Sequence, residues 1–200
     1  MKIALESDEI KTTIPFLGEL LRAFGELGWN ERAAELARLM LDRISRRPYV
    51  EAHTVMSSLK GCYWAERAGG SEYSHLVPEF LAQIERGDRQ YHSPEMKAAR
   101  AEAQTILLEE EGNESGALEK LGEASRIWGE TDRPFYHARS RVEAARVAEK
   151  AGRLAEAAET AGQAEPLLGN LAAQLDANDH RPALLSSRLV REAHRLTRSS

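Results

Sequence analysis

A glycine, an alanine five residues on and a small or flexible residue seven further recur along this chain. The copies are Gly28, Ala33 and Met40; Gly112, Ala117 and Ala124; and Gly152, Ala157 and Ala164, with a degraded copy turning at Gly69-Gly70. Prolines stand upstream of the turns at Pro15, Pro48, Pro94 and Pro134, and three of them open the related strings PYVEA, PEMKA and PFYHA. A period of about 40 residues is the length of one stacked helix pair. The residue types explain the pattern. Proline suits the first helical position, where its missing N–H has no partner to lose. Glycine closes a helix in the left-handed conformation, and small alanines let two helix backbones approach closely.

Hydrophobic spacing places the elements. Phe16, Leu17, Leu20, Leu21, Phe24 and Leu27, followed by Ala33, Leu36, Ala37, Met40, Leu41 and Ile44, predict a hairpin over about 15–46. Tyr49, Val55, Met56, Leu59 and Tyr63, then Leu76, Phe80, Leu81 and Ile84, predict a second over about 48–86. Further pairs fall at about 94–128, with Asn113 as an N-cap, and at about 134–168, where Pro166 interrupts the last helix or restarts it as a short segment. A terminal helix at about 182–197 caps the row and shields its end from water. No strand-like alternation appears, and the expected fold is all-α, an α-α superhelix of about four stacked hairpins plus this cap, forming one domain over 1–200.

Composition excludes several classes of function. A formal charge of −5 is spread along the chain and supplies no bulk field for nucleic acid or an anionic membrane. The single cysteine, Cys62, makes no internal disulfide. No apolar run approaches a membrane span and no signal-peptide pattern opens the chain, so a cytoplasmic location is expected.

The chemistry-bearing residues do not converge. Six histidines, at 53, 75, 92, 137, 180 and 194, show no zinc-ligand spacing, and His75 with Glu79 one turn later has no third ligand near it. Cys62 occupies an alanine-like slot, and Trp29, Trp64 and Trp128 read as packing residues. We expect no catalytic residues, metal or cofactor.

Trp128, Pro134-Phe135-Tyr136, Ala138-Arg139, Ala145, Gly152, Ala157 and Ala164 resemble the tetratricopeptide family. They are similar in particular to the longer, degenerate repeats toward the C-terminal end of LuxR-type regulators, large bacterial signalling ATPases and adenylate cyclases. The resemblance covers most of the chain and is sharpest from about 94 to 169. It implies a non-enzymatic scaffold or sensor that binds a protein, a peptide or a small effector on a concave face, in bacterial signalling or transcriptional regulation. The chain has no GxxxxGK[ST] loop and no cyclase region, and it stops near where a helix-turn-helix domain begins in the regulators. A fragment of such a protein and a free-standing adaptor both fit.

Carried over from the family, the groove positions are Arg22 in the first pair, Glu102, Ile106 and Glu109 in the third, and Arg139, Glu143, Arg146 and Glu149 in the fourth. An arginine on a groove wall can hold a carboxylate bidentately; the plainer reading is a solvated charged face. On the terminal helix, Arg188, Arg191, Arg195 and Arg198 form a basic stripe opposed by Glu192 alone. The stripe could meet phosphate or an acidic partner domain, while ordinary complementation of a helix C-terminus accounts for it more simply. The alternative function, a nucleic-acid-binding helical repeat, would need a basic inner face that the acidic third quarter does not favour.

Overall fold

The structure, a computed structural model, describes residues 17, 18, 20, 21, 24, 29–45, 77–86, 93–176 and 180–198. Pro15, Arg22, Gly28, Pro48, Cys62, Trp64, Gly69, Gly70 and the histidines at 53, 75 and 92 lie outside the described residues, as does the first helix of the 48–86 hairpin. Eight helices are present among the described residues, with no strand: α1 Asn30–Ser45, α2 Val77–Arg86, α3 Pro94–Glu110, α4 Glu114–Glu130, α5 Pro134–Lys150, α6 Leu154–Gln174, α7 His180–Leu185 and α8 Arg188–Thr197. The chain is an all-α array of helix hairpins. It divides into two compact units, Met1–Leu107 and Leu108–Ser200.

In the first unit, Leu17, Leu21 and Phe24 share a core with Ala33, Leu36, Ala37, Met40 and Leu41 of α1, Val77 and Leu81 of α2, and Met96, Ala103 and Ile106 of α3. Leu17, Leu21, Phe24, Leu81 and the α1 residues are core positions read from the sequence, whereas Ile106, expected on the groove face, is buried in this core. Phe24 and Trp29 stack with ring centroids 5.5 Å apart, and Arg32 lies over the Trp29 ring.

One turn recurs in the second unit at twenty-residue spacing. The backbone N–H of Asn113 donates to Leu108 O at 2.8 Å, that of Arg133 to Trp128 O at 2.9 Å, and that of Arg153 to Ala148 O at 2.8 Å. This six-residue closure, with a left-handed residue just before the donor, satisfies carbonyls that the ending helix leaves open. Gly112 at φ 71° and Gly152 at φ 74° fill the left-handed position in two copies, and Asp132 at φ 52° fills it in the third. Asp tolerates that conformation better than most side chains, which is why glycine punctuation alone does not reveal the middle turn. In the first unit, Trp29 N donates to Phe24 O at 2.9 Å with the same spacing.

Each new helix starts where the closure ends. Asn113 caps α4 by accepting from Gly116 N at 3.0 Å. At α5, Pro134 stands at the start instead, and Arg133 makes no side-chain cap. The hairpins pack through small residues. Ala117 and Leu121 of α4 meet Val147 of α5, while Ala138, Val142 and Ala145 of α5 meet Ala161, Ala164 and Leu168 of α6 and then Leu189, Val190, Ala193 and Leu196 of α8. Trp128 is fully buried at the end of α4, with Tyr136 of α5 at 4.9 Å between ring centroids.

Two elements differ from the sequence expectation. Helix α6 runs unbroken through Pro166. The proline is exposed and forfeits one backbone bond, while Ala164 and Leu168 on the opposite side hold the helix in the core. The C-terminal segment is two helices, because the chain bends at Ser186-Ser187 and Ser187 caps α8 by accepting from Val190 N at 3.4 Å. Arg181, in the first turn of α7, ties that helix to the end of α6 by donating to the carbonyls of Ala172, at 2.8 Å, and Leu175, at 3.0 Å.

A Cβ on Gly152 would meet nothing within 4 Å, so substitution there tests backbone strain alone. Gly152→Ala is expected to lower unfolding stability by about 1 kcal/mol. Trp128→Ala removes a fully buried indole and should cost about 3–5 kcal/mol. Urea unfolding followed by circular dichroism gives both values.

Candidate interaction surfaces

Among the described candidate residues, three lie on α3, four on α5 and three on α8, with Arg198 just past the end of α8. The geometry separates them into buried, paired and open groups. Arg139 is fully buried, with its guanidinium 4.9 Å from the centre of the Tyr136 ring. Its planar cation stacks on an aromatic face while its stem packs in the helix interface. Glu102 of α3, in the first unit, is also fully buried, and Thr105 donates to the Glu102 carbonyl at 2.7 Å. Neither side chain stands at a solvent surface. The remaining first-pair position, Arg22, lies outside the described residues.

Glu143 and Arg146 are brought together on α5. Arg146 donates from Nε to Glu143 at 3.0 Å and from its terminal nitrogen to both oxygens of Glu109, at 2.9 and 3.0 Å. Lys150 Nζ lies 4.0 Å from the same Glu109 carboxylate. The Glu109 side chain is only 6% exposed and that of Arg146 27%, so the arrangement is partly shielded and charge-assisted. A ladder of alternating sign results. A ligand carboxylate approaching Arg146 must compete with Glu109 for it.

A second cluster sits on a different side of α5. Arg141 donates from Nε to His137 Nε2 at 2.9 Å and from a terminal nitrogen to the Gln163 side chain on α6. The His137 ring lies against Gly129 at the end of α4, where an added Cβ would come within 3.0 Å of Cε1. His137 and Arg141 are one helical turn apart, the only trace of the contact in the sequence; the reach to Gln163 needed the fold. Burial, and then the neighbouring Arg141 cation, push the His137 pKa below its ordinary 6.5. The neutral imidazole is the acceptor, so protonation removes the bond and sets two cations side by side.

The three candidates on α8 divide. Arg195 donates to both oxygens of Glu149 on α5, at 2.8 and 2.6 Å, and to Glu192 at 2.7 Å. The hydrogen bond from Arg195 holds the Glu149 carboxyl below the usual range, and both carboxylates keep the guanidinium charged. Arg188 and Arg191 are exposed. Because the helix begins at Arg188, and not upstream at about residue 182, these two cations sit at its positive end. There the macrodipole disfavours them by about 0.3–1 kcal/mol each within the first turn. Dipole complementation fits Arg195 and Arg198 near the C-terminal end and leaves Arg188 and Arg191 without an internal reason.

Among the described residues no group of three or more His, Cys, Asp or Glu side chains is placed to hold a metal ion, and no described helix is long and apolar enough to cross a membrane. No family model matches the chain, and no curated protein does. Among solved structures, it is similar to the TPR-like repeats of a protein described as a kinesin light chain from Podosopora anserina. The two are 22% identical, over 90% of this chain and 84% of that one, with a TM-score of 0.49.

The pairs differ in burial, and their deletion should differ accordingly. Glu109→Ala is expected to cost about 1–3 kcal/mol, since it removes the acceptor shared by Arg146 and Lys150. Arg126→Ala, which breaks an exposed pair with Glu130, should cost at most about 0.5 kcal/mol; denaturant midpoints compare them.

For His137 the folded state has the lower pKa, so the unfolded chain binds more protons and stability falls with acid. The contribution is complete above about pH 6.5 and is lost as the pH drops below it. Unfolding midpoints at pH 7.5 and pH 5 should fall further in the wild type than in His137→Gln.

Proposed function

We propose that this chain is a non-enzymatic scaffold whose stacked hairpins present a charged helix face to a protein or peptide. The observation that carries the reading is the ladder of Glu143, Arg146, Glu109 and Lys150, set on helices spaced by repeated turns. A helical-repeat array buries its apolar residues between neighbouring helices and leaves an extended polar surface for recognition. The ladder supplies donors and acceptors in fixed positions there, and a segment that exchanges its own charges for those of Glu109 or Glu143 would dock in register.

In this reading the hairpins are tetratricopeptide-like repeats of a single domain over 1–200, and Glu143 and Arg146 contact the ligand. Arg139 shapes that face of the second unit from within. The setting is cytoplasmic, in bacterial signalling or transcriptional regulation, either beside adjoining regulator or ATPase domains or as a separate adaptor. The motifs around Trp128, Pro134 and Gly152 support that setting.

The ladder face can be compared with an exposed position of α4 outside the ladder. A photocrosslinking amino acid at Lys150, half-exposed beside Glu109, is expected to capture a discrete protein in vivo. The same probe at Arg126, exposed on α4, should not. Equal capture from both positions, or none from Lys150, overturns the ladder as the docking face.

A further inference from the structure

We propose that the exposed face of α8, formed by Arg188, Arg191 and Arg198 with Arg195 between them, is a second docking surface, and that it takes a short acidic helix of a partner protein. At 100° per residue the four arginines fall within an arc of about 80°, and the row extends about 15 Å. Its opposite side is committed to the core: Leu189, Val190, Ala193 and Leu196 are buried against α5 and α6.

The pairing of charge across the second unit singles this face out. Asp and Glu outnumber Lys and Arg in residues 108–200, so a surface cation there has carboxylates within reach. The others have found partners. Lys120, Arg126 and Arg153 pair with Glu123, Glu130 and Glu156. Arg146 and Lys150 share Glu109, Arg141 is held by His137 and Gln163, and Arg181 by backbone carbonyls. Arg133 and Arg139 are engaged by neighbours as well. Among the described residues of this unit, Arg188, Arg191 and Arg198 make no ion pair or hydrogen bond through their guanidinium groups, and all three are exposed on one face of one helix. Two of them also oppose the helix dipole. Arg195, clamped by Glu149 and Glu192, fixes the helix that presents them.

The same observations select the occupant. The steps of three, four and three residues match carboxylates spaced three and four apart on a facing helix, and guanidinium forks suit carboxylates. A membrane is disfavoured because the apolar face of α8 is already buried and cannot enter a bilayer. A nucleic acid extends beyond 15 Å and would bring its phosphates against a unit of net negative charge, with Glu192 beside the row.

Fluorescence anisotropy with the full chain tests the assignment. The probe is a labelled helical peptide of about four turns carrying glutamates spaced three, four and three residues apart. It should bind at low salt, and its glutamine counterpart should not. Arg188→Glu/Arg191→Glu is expected to weaken binding at least tenfold while leaving Tm unchanged or higher, since glutamate suits a helix start. A lysine version of the peptide should recover binding to that double variant. Failure of the glutamate peptide to bind, or binding unaffected by the charge reversal, overturns the proposal. A single-stranded oligonucleotide or phosphatidylserine vesicles held more tightly than the peptide through the same arginines would overturn the choice of partner.

Discussion

The backbone bond that reaches five residues back, from Asn113 to Leu108, Arg133 to Trp128 and Arg153 to Ala148, is the constraint on which the second unit depends. It ends one helix and reverses the chain, and it restarts the next helix at a fixed offset. With helices of equal length between the turns, α4 and α5 present buried residues at matching heights. Ala117 and Leu121 therefore meet Val147, and Ala138 and Ala145 meet Ala161 and Ala164. Small residues at these crossings keep backbones close, and the bulk is concentrated in Trp128 where the turn leaves room for it.

Close packing of this kind leaves charged side chains few places to go. Those on α5 occur between helices, where partial burial makes pairing favourable and geometry makes it specific. Arg146 reaches Glu109, thirty-seven residues away, and Arg141 reaches both His137 and Gln163. The outcome is a helix whose polar positions are largely occupied by the protein itself. A partner using that face enters by exchange of ion pairs, whereas one using α8 meets Arg188, Arg191 and Arg198, which have made no such commitment.

The bend at Ser186-Ser187 has an electrostatic consequence out of proportion to its size. Had residues 182–197 been one helix, Arg188 and Arg191 would lie in its middle, and only the last arginines would interact with its dipole. Starting the helix at Arg188 moves two cations to the positive end, while the contacts of Leu189, Val190, Ala193 and Leu196 keep the arginine face turned to solvent. Pro166 illustrates the converse. A residue that ends helices in isolation is carried within α6 because Ala164 and Leu168 anchor both sides of it, and the lost bond costs less than the lost packing would.

Local chemistry determined the all-α class, the hairpin period, the starts at Pro94, Pro134 and Asn113 and the turns at Gly112 and Gly152, since each depends on residues within one turn of the backbone. It also placed Glu109, Glu143, Arg146 and Glu149 on charged helix faces. What each charge does was decided by the tertiary structure, because an ion pair depends on which side chains a fold brings within about 4 Å and how much water it removes from them. That is why Arg139 became a buried stacking residue and Arg195 a clamp on Glu149, while Arg188 and Arg191, alike in sequence, remained open.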